Sequence, residues 1–193
     1  MENTKWRIAI FASGSGTNAE AIMKHFRSHP QIAVAALLSN KADAYALERA
    51  RKLNVPTMVF NRKQFYETGE VSAWLQQRGI THLVLAGFLW LIPESLIHAY
   101  PGRIINIHPA LLPKYGGKGM YGLHVHRAVK EAGERETGIT IHLVNEKYDD
   151  GKILLQARVP LDGSETPEEI AGKVHELEYR YYPDVIEKWV QHS

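Results

Sequence analysis

Short apolar segments alternate with helix-like segments along the first half of the chain. The predicted strands are 6–11, 32–38, 57–60, 82–86 and 103–107, and the predicted helices are 19–26, 44–53, 64–78 and 93–99. Asp43 is expected to cap the second helix, Gly79 to end the third, and Pro93 to be the first residue of the fourth. Because the strands are continuously apolar, we expect helices to cover both faces of the sheet. This pattern predicts an α/β fold with a doubly wound, mostly parallel Rossmann-like sheet.

The pattern changes after residue 108. Residues 109–123 contain two prolines and four glycines, and a loop of this length often has a function. The later predicted elements are a helix over 124–132, strands over 138–144 and 153–159, and a helix over 166–190. The two strands alternate apolar and polar residues, which predicts an antiparallel edge in the C-terminal part of the sheet. In the last helix, Thr166 is the expected cap, and Pro183 is expected to break or kink the helix.

The composition is that of an ordinary globular protein. Of the 193 residues, 45% are hydrophobic and 23% are charged, which favours one domain with a packed core. The net charge of +2 argues against a surface that binds nucleic acid or membrane. The chain has no cysteine, which excludes disulfides, cysteine-based zinc sites and a thiol nucleophile. Because the sequence has neither a signal-peptide pattern nor an apolar run long enough for a bilayer, we expect a cytoplasmic protein.

The turn after the first strand has the sequence Gly14-Ser15-Gly16-Thr17-Asn18. Backbone N–H groups at the start of a helix can bind a phosphate. The turn lacks the third glycine of a dinucleotide fingerprint and the Gly-Lys-Ser/Thr of a nucleotide P-loop, which favours a phosphate monoester over NAD or ATP. The alternative is a structural turn in which Thr17 or Asn18 caps the helix, and the turn alone favours neither explanation.

Two polar residues, Asn106 and His108, interrupt the apolar strand that ends just before the long loop. Residues two apart in a strand project on the same side, and ligands bind at the carboxyl end of such sheets. Asn106 can stabilise an oxyanion, and His108 can transfer protons near neutral pH. Asp149 lies in a turn-like Asp-Asp-Gly sequence, but beside His108 its carboxylate would favour the imidazolium and orient the ring. The alternative is a polar strand end that only caps the loop.

Several other polar residues have a less specific pattern. Those that could together bind zinc are His108, His124, His126, His142 and Asp149. Residues 124 and 126 lie in a predicted helix, where positions two apart do not share a face, so a zinc site is disfavoured. His175 and Glu178, in the last predicted helix, are expected on pattern alone to be ordinary surface residues.

Segments spread over most of the chain are similar to a known family. They are SGSGTN (13–18), SNKADAYALERA (39–50), LAGFLWLIP (85–93), GRIINIHPALLPKY (102–115), GLHVHRAV (122–129), ETGITIHLVNEKYDDG (136–151) and ILLQARVPL (153–161). With them the chain resembles the phosphoribosylglycinamide formyltransferases, a branch of the folate-dependent formyltransferases. The resemblance implies transfer of the formyl group of 10-formyltetrahydrofolate, without a metal, to the amine of 5-phosphoribosylglycinamide in purine biosynthesis. It implies small-molecule partners, no nucleic acid, no membrane, and a monomer or homodimer.

The resemblance also implies roles for individual residues. The implied catalytic residues are Asn106, His108 and Asp149. The implied ribonucleotide-binding residues are Gly16, Thr17, Asn18 and Glu178. The implied folate-binding residues are Lys63, Leu89, Trp90, Leu91, Ile92, Asn106 and Asn145. Residues 1–193 would form a single formyltransferase domain, with a phosphate-substrate-binding half over 1–100 and a catalytic and folate-binding half over 101–193.

Three positions depart from the pattern of the family. Trp90 stands where an arginine is common, Asp150 stands where a glycine is usual, and the loop after Tyr115 is longer. We expect Asp150 to face solvent and the Leu112–Pro113 peptide bond to be cis. Two other functions stay open. One is a hydrolase that cleaves formyl-folate with water, for which the phosphate-binding turn would have no use. The other is a binding module without activity, against which the intact catalytic residues argue.

Overall fold

Strands and helices alternate through most of the computed structural model, which describes residues 4–193. The strands are β1 (Trp6–Phe11), β2 (Ile32–Ser39), β3 (Thr57–Val59), β4 (His82–Leu85), β5 (Ile104–His108), β6 (Glu136–Leu143) and β7 (Ile153–Pro160). The helices are α1 (Thr17–His25), α2 (Tyr45–Lys52), α3 (Arg62–Tyr66), α4 (Glu70–Gln77), α5 (Glu94–Ala99), α6 (Leu123–Glu131) and α7 (Pro167–Gln191).

The strands form one mixed sheet in the order β3-β2-β1-β4-β5-β6-β7. The first five in this order are parallel neighbours, whereas β6 pairs antiparallel with both β5 and β7. The predicted fold class, including the antiparallel C-terminal edge, is therefore confirmed. Because β1, β4 and β5 are adjacent and parallel, the residues that follow them meet at one edge of the sheet.

Apolar side chains cover both faces of the sheet. Along β1, Ile8 and Ile10 belong to one core layer, whereas Ala9 and Phe11 belong to the other. Helices α1, α2, α6 and α7 contribute to the first layer, and α3, α4 and α5 contribute to the second. Full burial of one such large side chain stabilises the fold by roughly 1.5–3 kcal/mol. Burial on both faces explains why the strands read as continuous apolar runs.

The predicted third helix is wrong, because this segment forms two helices. Gly69 has a φ of 70°, a left-handed conformation that glycine adopts at little cost, and it separates α3 from α4. The apolar pattern continues across the break because Phe65 on α3 and Leu75 on α4 pack in the same core layer.

Two helix starts also differ from the prediction. Ala44, with extended backbone, is the N-cap of α2, so Asp43 lies one residue too early to cap it. Pro93 is the N-cap of α5 instead of its first helical residue. A difference of one residue at a helix end changes neither the existence of these helices nor their packing.

The longest helix, α7, has 25 residues and begins with the expected Thr166 cap, in a capping box with Glu169. Pro183 does not end the helix, because helical structure continues to Gln191. Tyr182 and Ile186 are fully buried in the core, and this packing holds the helix where Pro183 has no N–H to donate. Within residues 4–193, no helix combines the length and the apolar character needed to cross a membrane.

Candidate active site

A cavity of about 810 Å³ lies where the carboxyl ends of β1, β4 and β5 meet. Its volume is in the range of small-molecule sites. The walls come from residues 13–18, 85–92, 106–109, 117–123 and 147–149, together with Lys41, His126, His142, Val144, Ala171, His175 and Glu178. Of the site residues implied by resemblance, all line the cavity except Lys63 and Asn145.

Gly16 shapes the turn that forms one wall. Its φ is 74°, and a Cβ there would lie 2.5 Å from both Cα and Cβ of Ala46, so only glycine fits. Gly16 is the N-cap of α1, and no side chain of the described residues caps this helix. The alternative explanation, in which Thr17 or Asn18 caps the helix, is therefore not what the structure shows. The first N–H groups of α1 are left to bind an anion in the cavity.

Asn18 connects this turn to α7. Its Nδ2 donates a hydrogen bond of 2.8 Å to Oε2 of Glu178, and Nδ1 of His175 donates to the same oxygen at 2.8 Å. Glu178 is only 4% exposed, and His175 lines the cavity. The expectation of an ordinary surface residue, which came from pattern alone, is therefore wrong for Glu178, whereas His175 is exposed as expected and also borders the cavity. The hydrogen bond to Glu178 raises the pKa of His175 and favours its charged form.

His108 is buried with both ring nitrogens facing oxygen atoms of the protein. Nε2 donates to the carbonyl oxygen of Tyr115 at 2.7 Å, and Nδ1 lies 3.4 Å from Oδ2 of Asp149. Because a carbonyl and a carboxylate both accept, this surrounding suits an imidazolium with two N–H groups. Burial nevertheless lowers the pKa of His108, and the charge of Asp149 and the bond to Tyr115 only partly oppose this effect. The expected influence of Asp149 is present, but the net pKa shift is downward.

Asp149 joins the three residues expected to be catalytic. It adopts a left-handed φ of 53°, which aspartate tolerates better than most residues. Its Oδ2 accepts a hydrogen bond of 3.0 Å from the Gly117 N–H, and its Oδ1 lies 3.4 Å from Nδ2 of Asn106. Burial raises the pKa of Asp149, but hydrogen bonding with His142 and the charge of His108 outweigh burial, so the pKa is lowered. Asp150 is exposed, as expected.

His142 is a site residue that the sequence reasoning considered only as a zinc ligand. Its Nδ1 donates to the carbonyl of Leu143 at 2.9 Å, and its Nε2 lies 3.2 Å from Nδ2 of Asn106 and 3.6 Å from Oδ1 of Asp149. His142 thus orients the amide of Asn106. Its position on β6 is directly opposite Asn106 on β5. The pairing of these two strands is the signal that would have identified it, since side chains opposite each other share a face.

Trp90 forms a further wall of the cavity. It packs within a cluster of rings whose centroids lie between 5.9 and 6.5 Å from its own, namely Phe60, Phe65, Tyr66 and Phe88. The guanidinium of Arg62 lies 5.3 Å from the centroid of the Trp90 ring. The basic side chain beside Trp90 is therefore Arg62, whereas Lys63 is exposed and does not line the cavity. The N–H of Leu89 donates to Oγ of Ser13 at 3.1 Å and ties this wall to the glycine turn.

The long loop between β5 and α6 is anchored to the sheet by Thr140. Its Oγ1 accepts from the Leu112 N–H at 3.0 Å and donates to the Ala110 carbonyl at 2.7 Å. The Leu112–Pro113 bond is cis, which confirms the expectation. The loop then brings the Tyr115 carbonyl to His108 and the Gly117 N–H to Asp149.

The zinc arrangement considered from the sequence is not formed. His124 is exposed and does not line the cavity, whereas His126, two residues later on α6, is buried and does. Over the described range 4–193, no group of three or more His, Asp or Glu side chains is arranged to hold a metal ion.

Comparison with known proteins shows related chains of similar fold. The formyl transferase family matches residues 6–186. The chloroplastic phosphoribosylglycinamide formyltransferase of Arabidopsis thaliana is 41% identical over 191 residues, which cover 96% of this chain and 65% of that protein. The phosphoribosylglycinamide formyltransferase of Haemophilus influenzae is 42% identical over 188 residues, which cover 95% and 86%. The chain thus spans slightly less than two thirds of the plant protein and most of the bacterial one.

A solved structure supports the same relationship. The crystal structure of phosphoribosylglycinamide formyltransferase from Anaplasma phagocytophilum superposes with a TM-score of 0.88 at 31% sequence identity. The superposition covers 97% of this chain and 88% of that one.

Proposed function

The chain belongs to the formyl transferase family, and we propose that it transfers the formyl group of 10-formyltetrahydrofolate to the amine of 5-phosphoribosylglycinamide in purine biosynthesis. The observation that carries this proposal is one cavity that combines the glycine turn, the Trp90 wall, and the cluster of Asn106, His108 and Asp149. A single cavity of this kind suits two substrates that exchange a small group where they meet.

The ribonucleotide is proposed to bind at the glycine turn. The N–H groups of Gly16, Thr17 and Asn18 would hold its phosphate, because the start of α1 has donors and a positive helix dipole. Lys41, which is exposed and lines the cavity, adds a positive charge to this region. The carboxyl group of Glu178 would accept a hydrogen bond from the substrate amine.

The folate is proposed to bind along residues 89–92, with the flat pterin against the Trp90 ring. Asn106 would then contact both the folate and the formyl group. Lys63 and Asn145 stay predicted folate contacts, and both would have to act from outside the cavity wall.

The proposed reaction is direct acyl transfer. The amine nitrogen attacks the formyl carbon and forms a tetrahedral intermediate with a negative oxygen, which the Asn106 amide and the His108 imidazolium stabilise. One such donor typically contributes about 3 kcal/mol. The bond from the formyl carbon to the folate nitrogen then breaks, and this nitrogen takes up the proton that the attacking amine loses. Neither step needs a metal.

The proton path depends on the loop that holds His108. In the structure Nε2 donates to Tyr115 and Nδ1 faces Asp149, so neither N–H is free. We propose that the imidazolium acts first by its charge in the cavity. Direct proton transfer from Nε2 would require the Tyr115 contact to open.

Residues 1–193 are proposed to act as one functional domain, because both halves contribute to the cavity and to the core layers. The division of roles between 1–100 and 101–193 stays a prediction. We also propose a cytoplasmic monomer or homodimer without nucleic-acid or membrane partners, supported by the net charge of +2. Sedimentation and cell fractionation test these points.

A formyl-transfer assay with and without the phosphoribosyl amine tests the function. The expected result is turnover of 10-formyltetrahydrofolate, followed by its absorbance, that requires the amine and yields a formylated product. Turnover at the same rate with and without the amine would instead support a hydrolase. Absence of turnover with intact binding of both ligands would support a binding module.

A further inference from the structure

Tyr115 has an unusual backbone conformation for a large side chain. Its φ is 57°, in the left-handed region that bulky residues rarely adopt. Such a conformation costs free energy and persists only where the surrounding contacts hold it. The carbonyl oxygen of the same residue accepts the 2.7 Å hydrogen bond from Nε2 of His108. The contacts that hold the Tyr115 side chain therefore affect the position of this carbonyl relative to the ring of His108.

The Tyr115 side chain is bound by Glu134, outside the active-site cavity. The phenol Oη donates a hydrogen bond of 2.8 Å to Oε1 of Glu134, and Nζ of Lys114 donates to the same oxygen, also at 2.8 Å. These three residues line a second cavity of about 240 Å³, the outer hollow, and none of the three lines the active-site cavity. Glu134 can therefore act on the reaction only through the loop, without touching a substrate.

Glu134 is itself held in place at the end of α6. Gly133 has a left-handed φ of 63°, and its N–H donates to the Lys130 carbonyl at 3.0 Å. The Glu134 N–H donates to the Val129 carbonyl at 3.3 Å, which completes a Schellman motif. The helix dipole disfavours a carboxylate at this end of a helix. The helix end thus gives the carboxylate a fixed position but does not stabilise its charge.

The protonation states of Glu134 and Tyr115 suit their hydrogen bond. Hydrogen bonds from Lys114 and Tyr115 lower the pKa of Glu134, which is therefore a carboxylate at neutral pH. Burial and the hydrogen bond to Glu134 raise the pKa of Tyr115, so the phenol keeps the proton that it donates. A hydrogen bond to a charged acceptor is stronger than one between neutral groups. The Tyr115 phenol is thus held by a charge-assisted hydrogen bond.

His108 has several other titratable neighbours. They are Asp149, Glu178, His142 and His126. Burial lowers the pKa of His108, the two carboxylates raise it, and the charge of His142 lowers it. The hydrogen bond to the Tyr115 carbonyl also raises this pKa. Because the carbonyl belongs to the loop, a change in the loop would alter the pKa of His108 even if the cavity side chains kept their places.

We propose that Glu134 is a positioning residue for formyl transfer. By binding the Tyr115 phenol it fixes the loop whose carbonyl accepts from Nε2 of His108, and it thereby favours the charged form of the ring. The effect on turnover rests on the proposed function, whereas the effect on His108 itself can be measured without any reaction.

The first test compares Glu134→Met, which removes the acceptor, with Glu134→Gln, which keeps an acceptor oxygen without the charge. For Glu134→Met we expect kcat at pH 7 to fall by about 3- to 10-fold, the effect of one hydrogen bond, while KM for both substrates stays within about 2-fold. Since the cause is a smaller amount of imidazolium, the fall in kcat should become smaller toward pH 5. Glu134→Gln should retain most of the activity.

The second test measures the pKa of His108 by NMR titration of its ring in the ligand-free full chain. We expect a lower pKa in the Glu134→Met variant than in the wild type. Tyr115→Phe keeps the carbonyl but lacks the phenol oxygen, and it should lower the pKa in the same way. Combining the two substitutions should cause no further decrease, because both remove the same hydrogen bond. Tyr115→Phe also serves as the test if Glu134→Met does not fold.

Glu136→Met is the matched control. Glu136 is an exposed glutamate that also lines the outer hollow, but its carboxylate pairs with Arg158 on β7 instead of with the loop. Because exposed ion pairs contribute little, this variant should have the kcat and the His108 pKa of the wild type.

The outcomes separate this inference from the proposed function. An unchanged His108 pKa in both the Glu134→Met and the Tyr115→Phe variants, or an equal loss of kcat in the Glu136 control, would overturn the role of Glu134. A rise in KM for both substrates with an unchanged pH profile would also overturn it, because that pattern indicates a general loss of structure. If the wild-type protein shows no amine-dependent formyl transfer but the His108 pKa falls in the variants, the proposed function fails and the positioning of His108 by Glu134 stands.

Discussion

Oδ2 of Asp149 lies 3.4 Å from Nδ1 of His108 and also accepts a hydrogen bond from the Gly117 N–H. The same carboxylate is thus bound to the ring that is proposed to act on the substrate and to the loop that covers this ring. Because the Tyr115 carbonyl of the same loop holds Nε2, the position of the loop and the charge of His108 depend on each other.

We expect Asp149→Asn to lower kcat by a factor of roughly 10²–10⁴. The carboxylate raises the pKa of His108 against the effect of burial, so its removal should lower this pKa further. Less imidazolium is then present at neutral pH, and the oxyanion is less stabilised. The remaining activity should rise toward lower pH relative to the wild type. Steady-state kinetics between pH 5 and 8 measure both effects.

Asp150→Asn is the matched control for this change. Asp150 is exposed beside the same turn, and within residues 4–193 it accepts a hydrogen bond only from Nδ2 of Asn145, at 3.3 Å. Its removal should change kcat by less than about 3-fold, since exposed polar contacts contribute little. A severe loss in the Asp150 variant with a mild effect at Asp149 would mean that the wrong carboxylate has been assigned.

Gly16→Ala should destabilise the protein, whereas Gly14→Ala should not. A Cβ at Gly16 meets Ala46 at 2.5 Å on a backbone with positive φ, while a Cβ at Gly14 has no atom within 4 Å. Left-handed strain and overpacking together correspond to about 2–4 kcal/mol. Urea unfolding measures this loss, and ribonucleotide affinity should fall with it because α2 is displaced from the turn. Equal stability of the two variants would show that the turn can accommodate a Cβ at position 16 without a clash with Ala46.

The strands of the parallel core could be predicted because each is a continuous apolar run that the two-sided packing requires. The split of the third helix could not be predicted, because Phe65 and Leu75 keep the apolar pattern across the break and only the φ of Gly69 interrupts the helix. The last helix was predicted over nearly its full length, but it does not break at Pro183, one of the two effects expected there. A local rule predicts a break there, but the burial of Tyr182 and Ile186 outweighs it.

The candidate site was predictable where two signals coincide. Asn106 and His108 lie at the carboxyl end of one strand, and both belong to a segment that resembles the family. The structure places both in the cavity wall. His126, His142 and His175 were missed as cavity residues, because their positions depend on how β6, α6 and α7 pack against distant parts of the chain. The spacing of these residues along the sequence does not predict such long-range contacts.

Trp90→Leu should weaken binding of a folate analogue by roughly 10-fold or more, and that of the ribonucleotide by much less. The ring lines the cavity and is held by Phe65 and Phe88, so it offers a fixed flat surface to a pterin. Trp74→Leu is the control, since Trp74 lies on α4, outside the cavity, beneath the Arg78 guanidinium. Fluorescence titration measures both affinities. Unchanged folate affinity in the Trp90 variant would assign this ring to the core alone.

The stability of the protein should fall as the pH decreases from 6.5 toward 4, in part because of His82. Burial and the charge of Arg103 lower the pKa of His82 to about 4 in the folded protein. In the unfolded chain the pKa is about 6.5, so the unfolded chain binds this proton at a higher pH than the folded protein does. The contribution of His82 to the free energy of unfolding is therefore fully present above pH 6.5 and decreases below it. At pH 5 this loss is about 2 kcal/mol. His82→Gln should remove this part of the loss, whereas His98→Gln, at an exposed position, should not. Urea unfolding at pH 7 and pH 5 measures the difference, and an equal loss in the His82 variant and the wild type would contradict a neutral, buried His82.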